Sequence, residues 1–259
     1  MNERLSPERT KIEKLSEWLK ARQIELVLFD LDDTLIDTHR VFEDQENKFL
    51  AHIQGQFPFF DFQDLSENLN RLHEKYFASH SVNPVKSHLI VGELAEVYQE
   101  RLGSEAGRVF QQGLPLLLEV YRTVPAFHPG AEETLAIFKA TGVDRGFVTH
   151  GNLTWTNLKI RGLDLARFFQ HFWIADEDEF KGPQDWLIAI NWLFGKKPEN
   201  TLVVGDNVKG DIQAAHLVGV RHKVLIPGCW NVYTSGEIPE GTIKVPSINQ
   251  LISALIHQA

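Results

Sequence analysis

Leu26-Val27-Leu28-Phe29-Asp30-Leu31-Asp32-Asp33-Thr34 constrains this chain more than any other stretch. An apolar run of buried-strand type stops abruptly on two carboxylates, Asp30 and Asp32, with Asp33 beside them. Carboxylates packed at a buried strand end repel one another and lose hydration. They persist there only if a cation, a proton or backbone donors compensate them, and a divalent metal is the obvious choice. A plainer reading makes Asp30 a turn residue and Asp33-Thr34 a helix cap. On this stretch alone the two readings stand about even, and the rest of the chain has to separate them.

Downstream the periodicity changes twice. Pro7 starts an amphipathic helix to about Ala21 that presents Ile12, Leu15, Trp18 and Leu19 on one face. From about Thr38 to Thr123 the spacing is helical. One helix carries Val41, Phe49, Leu50 and Ile53, a second Leu65, Leu69, Leu72 and Tyr76, and a third Leu89, Leu94, Val97 and Tyr98. Pro84, Gly103, Gly113 and Pro115 read as breakers, and Phe57, Phe59, Phe60 and Phe62 as a small core under a loop. From Val124 strands and helices alternate: Val143 to Val148, Phe172 to Ile174, Thr201 to Val204 and Lys223 to Ile226 are strands separated by helical segments. That alternation implies an α/β fold, a doubly wound parallel sheet with helices on both faces.

Charge and composition exclude several partners. The formal charge is −9, from 35 acidic and 26 Lys and Arg residues, with no basic run, which speaks against stable nucleic-acid binding. No apolar segment approaches a membrane span or a signal peptide, so a cytoplasmic protein with no membrane partner is expected. The lone Cys229 cannot form an internal disulfide. Oligomeric state is not legible.

In a doubly wound sheet, ligands sit beyond the carboxyl ends of the strands. Here three strands end in complementary groups: Asp30 and Asp32, then Thr149-His150-Gly151-Asn152, then Gly205-Asp206 with Asp211 further on, while Lys181 precedes the helix that Pro183 opens. Carboxylates, a hydroxyl and an ammonium suit phosphoryl chemistry on a small phosphorylated metabolite. Mg²⁺ takes oxygen ligands, for which Asp30, Asp206 and Asp211 qualify. A hydroxyl and an ammonium can share the remaining phosphoryl charge. Asp30 then serves as nucleophile and Asp32 as acid and base.

These four motifs, Phe29-Asp30-Leu31-Asp32-Asp33-Thr34, Phe147-Val148-Thr149-His150-Gly151-Asn152, Lys181 and Val204-Gly205-Asp206-Asn207-Val208-Lys209-Gly210-Asp211, resemble in content and order those of the haloacid dehalogenase superfamily, phosphatase type, with a helical cap of the C1 kind. The resemblance implies a Rossmann-like sheet with an inserted all-helical cap. It divides the chain into an N-terminal helical extension (1–23), a catalytic core (24–37 and 124–259) and a cap (38–123). It further implies Asp30 and Asp32 as catalytic residues, and Thr149, His150 and Lys181 around the phosphate. Mg²⁺ would lie among Asp30, the Asp32 main-chain carbonyl and Asp206, with Asp211 supporting. A carboxylate at Asp32 sides with the phosphatases, because halide leaves without a proton. Two positions depart from the common pattern: His150 where Asn is frequent, and Gly182 between Lys181 and Pro183. A phosphomutase of the same fold and a non-catalytic binding protein are the alternatives. Phosphonate cleavage would call for a cap lysine, and none is marked out. Arg40, Lys48, His52, Lys86 and His88 read as solvated helix faces.

Overall fold

The computed structural model describes residues 7–176 and 180–257; Ser6, before the first helix, lies outside them. The chain order is α1 (Pro7–Ala21), β1 (Leu26–Phe29), α2 (Thr38–Gln56), α3 (Phe62–His80), α4 (Val85–Leu102), α5 (Glu105–Leu118), α6 (Ala131–Ala140), β2 (Asp144–His150), α7 (Leu153–Gly162) and β3 (His171–Ala175). It continues through α8 (Pro183–Leu187), β4 (Thr201–Gly205), α9 (Ala214–Leu217), β5 (His222–Leu225), α10 (Asn231–Thr234), β6 (Ile243–Lys244) and α11 (Leu251–Ile256). The six strands form one parallel sheet in the order β3-β2-β1-β4-β5-β6. The order reverses at β1, so its carboxyl end opens at the switch point, where a parallel sheet leaves a crevice.

Alternation along β1 explains the two covered faces. Val27 and Phe29 pack with Leu15, Trp18, Phe138 and Leu251 of α1, α6 and α11. Leu26 and Leu28 point the other way, against Trp186, Ile190 and Ala215. Each such side chain contributes roughly 1.5–3 kcal/mol on burial, which makes a strand buried on both sides strongly specified.

The inserted helices bury a separate core that includes Phe49, Leu69, Ile90, Leu94, Tyr98 and Phe110. Its two connections to the sheet run side by side: Asp37 N donates to Ala126 O (2.8 Å) and His128 N to Leu35 O (2.9 Å). Three expectations need correction. α5 continues through Gly113 and Pro115 instead of breaking. Proline sits near the end of that helix, where one lost bond costs little, and a Cβ at Gly113 would lie 2.8 Å from the Phe49 ring, so the glycine permits close helix packing. α4 buries Ile90, Val91, Leu94 and Tyr98 and leaves Val97 exposed, a face rotated from the expected one. In the phenylalanine loop Phe57 and Phe60 pack on the helical core, whereas Phe59 and Phe62 face solvent. Among the described residues no helix is long and apolar enough to cross a membrane.

Candidate active site

β1 ends at Phe29, in register with Phe147 of β2 and Val204 of β4. The next residues of all three strands therefore emerge together. Asp30 N donates to Val204 O (2.8 Å), which holds Asp30 between Thr149 and Asp206. Beyond β4 the backbone winds into a π-helical turn, Val208–Gln213. The extra residue per turn brings Asp211 back over Gly205, and its Oδ2 accepts from Asn207 N (3.0 Å). A Cβ on Gly205 would lie 2.2 Å from that same oxygen. Gly228 stands in the same relation to Asp206 Oδ2, also at 2.2 Å.

Asp30, Asp206 and Asp211 are buried and can bring one carboxylate oxygen each within 4.8 Å of one another. Lys181 answers part of this charge. Its ammonium bonds to Asp30, lies 2.6 Å from Asp211 Oδ1 and donates to Val148 O (2.9 Å). Asp206 Oδ2 is buried with no hydrogen-bond donor among the described residues. Burial, partly offset by Lys181, pushes the Asp30 carboxyl up to about 7; burial and the charges of Asp30 and Asp211 push Asp206 well above the usual range. Lys181 is held above the ordinary lysine value despite its burial, because Asp211 and Asp30 outweigh it. Three carboxylates against one ammonium leave negative charge uncompensated, in an all-oxygen donor set with one orphaned acceptor. Those residues fit a hard divalent cation.

Asp32 is held differently. Its carboxylate accepts from Thr38 Oγ1, from Lys159 Nζ (2.5 Å) and, more loosely, from Thr149 Oγ1 (3.4 Å). Burial raises its pKa, but the Lys159 cation and its hydrogen bond win and hold it below the ordinary value. Thr34 Oγ1 donates to Asp30 Oδ2 (3.2 Å). Asp33 takes a left-handed conformation (φ 58°) and accepts from His39 N and Trp230 Nε1, both at 2.7 Å. His150 shares a hydrogen bond with Ser81 Oγ (3.0 Å) from the inserted helices, and burial pushes its imidazole down to about 4. It is neutral at pH 7.

The fold thus brings together Asp30, Asp32, Thr149, His150, Lys181, Asp206 and Asp211. All but Asp211 line one cavity of about 470 Å³ between the sheet and the inserted helices. Sequence reasoning passed over Lys159, whose signal is its spacing: it follows buried Trp155 by four residues on the inward face of α7. It also misjudged Lys86, which is only 4% exposed and lines the cavity, whereas Arg40, Lys48 and His88 are exposed as expected. Neither Phe59 nor Phe62 reaches the cavity.

Comparison with known proteins agrees with this geometry. Residues 24–219 match the family described as haloacid dehalogenase-like hydrolase. Glyceraldehyde 3-phosphate phosphatase of Pyrococcus furiosus is 31% identical over 205 residues, 77% of this chain and 80% of that protein. Phosphoglycolate phosphatase of Escherichia coli K12 is 30% identical over 128 residues, 49% of this chain and 50% of its own. Among solved structures, a haloacid dehalogenase-like hydrolase of Xanthomonas campestris covers 91% of this chain and 97% of its own with a TM-score of 0.67; at 20% identity that likeness is one of fold. Motif order, sheet order and sequence matches converge, and the chain belongs to the haloacid dehalogenase-like hydrolases.

Proposed function

We propose that the chain is a Mg²⁺-dependent phosphatase that hydrolyses a small phosphate monoester through an aspartyl-phosphate on Asp30. The observation that carries this reading is the buried trio of Asp30, Asp206 and Asp211, undercompensated by Lys181, with Asp30 and Asp206 lining a cavity of small-metabolite size. The names of the matched relatives, both phosphatases of small phosphorylated compounds, support it.

Mg²⁺ would be held by Asp30, Asp206 and the Asp32 main-chain carbonyl, with Asp211 supporting, and when bound would neutralise carboxylate and phosphoryl charge. Lys181 and the Thr149 hydroxyl orient the phosphoryl group, with His150 beside them. An Asp30 oxygen attacks phosphorus as the bond to the leaving oxygen breaks, and that oxygen takes a proton from Asp32. Asp32 then removes a proton from water, whose oxygen attacks phosphorus and releases inorganic phosphate and the free Asp30 carboxylate. To act as an acid, Asp32 has to leave Lys159, whose ammonium favours the ionised form. Residues 38–123 act as the cap that excludes water and selects substrate, 24–37 and 124–259 as the catalytic core, and 1–23 as an N-terminal extension whose helix α1 packs on that core, in a cytoplasmic setting.

The test is phosphate release from an aryl phosphate with and without Mg²⁺, for the wild type and Asp30→Asn. Metal-dependent turnover lost in the variant supports the reading; no turnover by folded wild type on this ester and a panel of small phosphate esters overturns it.

A further inference from the structure

Among the described residues three lysines line the cavity. Lys181 is neutralised by Asp30 and Asp211, and Lys159 by Asp32. Lys86, in the first turn of α4, is the exception: among the described residues its ammonium makes no ion pair and no hydrogen bond. The faces of Phe42 and Phe77 flank it at 5.2 and 5.1 Å, and both rings line the same cavity. Cation–π contact softens the cost of burying the charge, but it supplies no acceptor for the three N–H bonds. A buried ammonium left in this state is an anion receptor without its anion.

We propose that Lys86 binds a carboxylate at the end of the substrate remote from its phosphate, so that the enzyme takes short phosphorylated carboxylic acids. This inference rests on the phosphatase reading given above. The charge inventory of the cavity selects a singly charged group. Among the described residues no arginine lines the cavity, and Glu43 and Glu74 also line it, so one unpaired lysine matches one negative charge, whereas a second phosphate would bring nearly two. Glu46, the acid whose charge acts on Lys86, is turned to His73 Nε2 (3.3 Å). Burial pushes Glu46 up to about 7 and His73 down to about 3, and Lys86 only to about 8. Below neutral pH Lys86 therefore keeps its charge while Glu46 is mostly protonated.

The experiment compares kcat/KM for two esters of equal length, a phosphorylated short hydroxy acid and its neutral amide, in the wild type, Lys86→Met and Lys86→Gln, with an aryl phosphate as a third substrate. The wild type should favour the acid at least tenfold, mainly through KM, and both variants should erase that preference. Inhibition by the phosphate-free hydroxy acid should weaken about tenfold in the same variants. Lys86→Gln keeps a donor without the charge, and carries the test if the Met variant does not fold. No preference in the wild type, a preference that survives both variants, or an equal fall on acid and amide overturns the proposal. Trapping of Lys86 by borohydride in the presence of a carbonyl substrate also overturns it, in favour of imine chemistry. Silence of the wild type on all three esters removes the phosphatase reading beneath it, and the aryl ester distinguishes that failure from failure of the Lys86 assignment alone.

Discussion

The Lys159 ammonium lies 2.5 Å from an oxygen of Asp32, 127 residues earlier in the chain, and is buried where Asp32 is only partly so. The Asp32 carboxylate is thereby held ionised by a residue outside the four motifs. Lys159→Met removes the cation that depresses the Asp32 pKa, and an opposite charge at this range is worth about 1–3 pKa units. The basic limb of the kcat/KM profile should move to higher pH by about that amount, whereas Lys159→Arg should leave it near the wild-type position. A limb that stays put in the Met variant would remove Lys159 from control of Asp32.

Asp206→Asn takes one charge out of a crowded, buried set. In metal-free protein it should raise stability by about 0.5–2 kcal/mol, or about 2–4 °C in Tm per kcal/mol for a chain of this size. The rise in Tm on adding Mg²⁺ should vanish with it. Thermal melts in EDTA and in Mg²⁺ measure both effects, and an undiminished Mg²⁺ response would place the ion elsewhere.

Lys181→Met should do the reverse. It leaves Asp30 and Asp211 buried without their cation, a loss of about 3–5 kcal/mol by the usual cost of breaking a buried pair. Denaturant midpoints would register it, together with a fall in kcat of at least about 100-fold, the scale of losing one preorganised charge donor.

The Asp30 carboxyl titrates at about 7 in the folded metal-free chain, above the ordinary 3.8. A raised carboxyl favours the protonated folded state, so its contribution is complete below about pH 4 and lost as pH rises through about 7. The Tm of Asp30→Asn minus that of the wild type, both in EDTA, should therefore widen from about pH 4 to pH 7 and change little beyond. A gap that narrows over that range would contradict the raised value.

The sheet and the motif residues were legible because their signals are local. Leu26 to Phe29 announces a buried strand, and three of the four motifs sit where a strand ends in polar residues. α5 was not, because propensity at Gly113 and Pro115 argued against a helix that tertiary packing on Phe49 and Phe110 sustains. Lys86 and Lys159 escaped for a related reason. A lysine on a helix reads as solvated until the partner surface is known, and those surfaces, Phe42 and Phe77 for one and Asp32 for the other, come from distant segments.

Gly205 and Gly228 carry no side chain, yet the carboxylates of Asp211 and Asp206 occupy the space where one would be. In a saturation screen read by activity both positions would behave like catalytic residues, intolerant even of alanine. At Gly228 the first atom displaced is the far end of the Asp206 side chain, so variants there should accumulate as folded, inactive protein. A stability screen would miss that vulnerability, because the constraint is on where a neighbour's charge may rest.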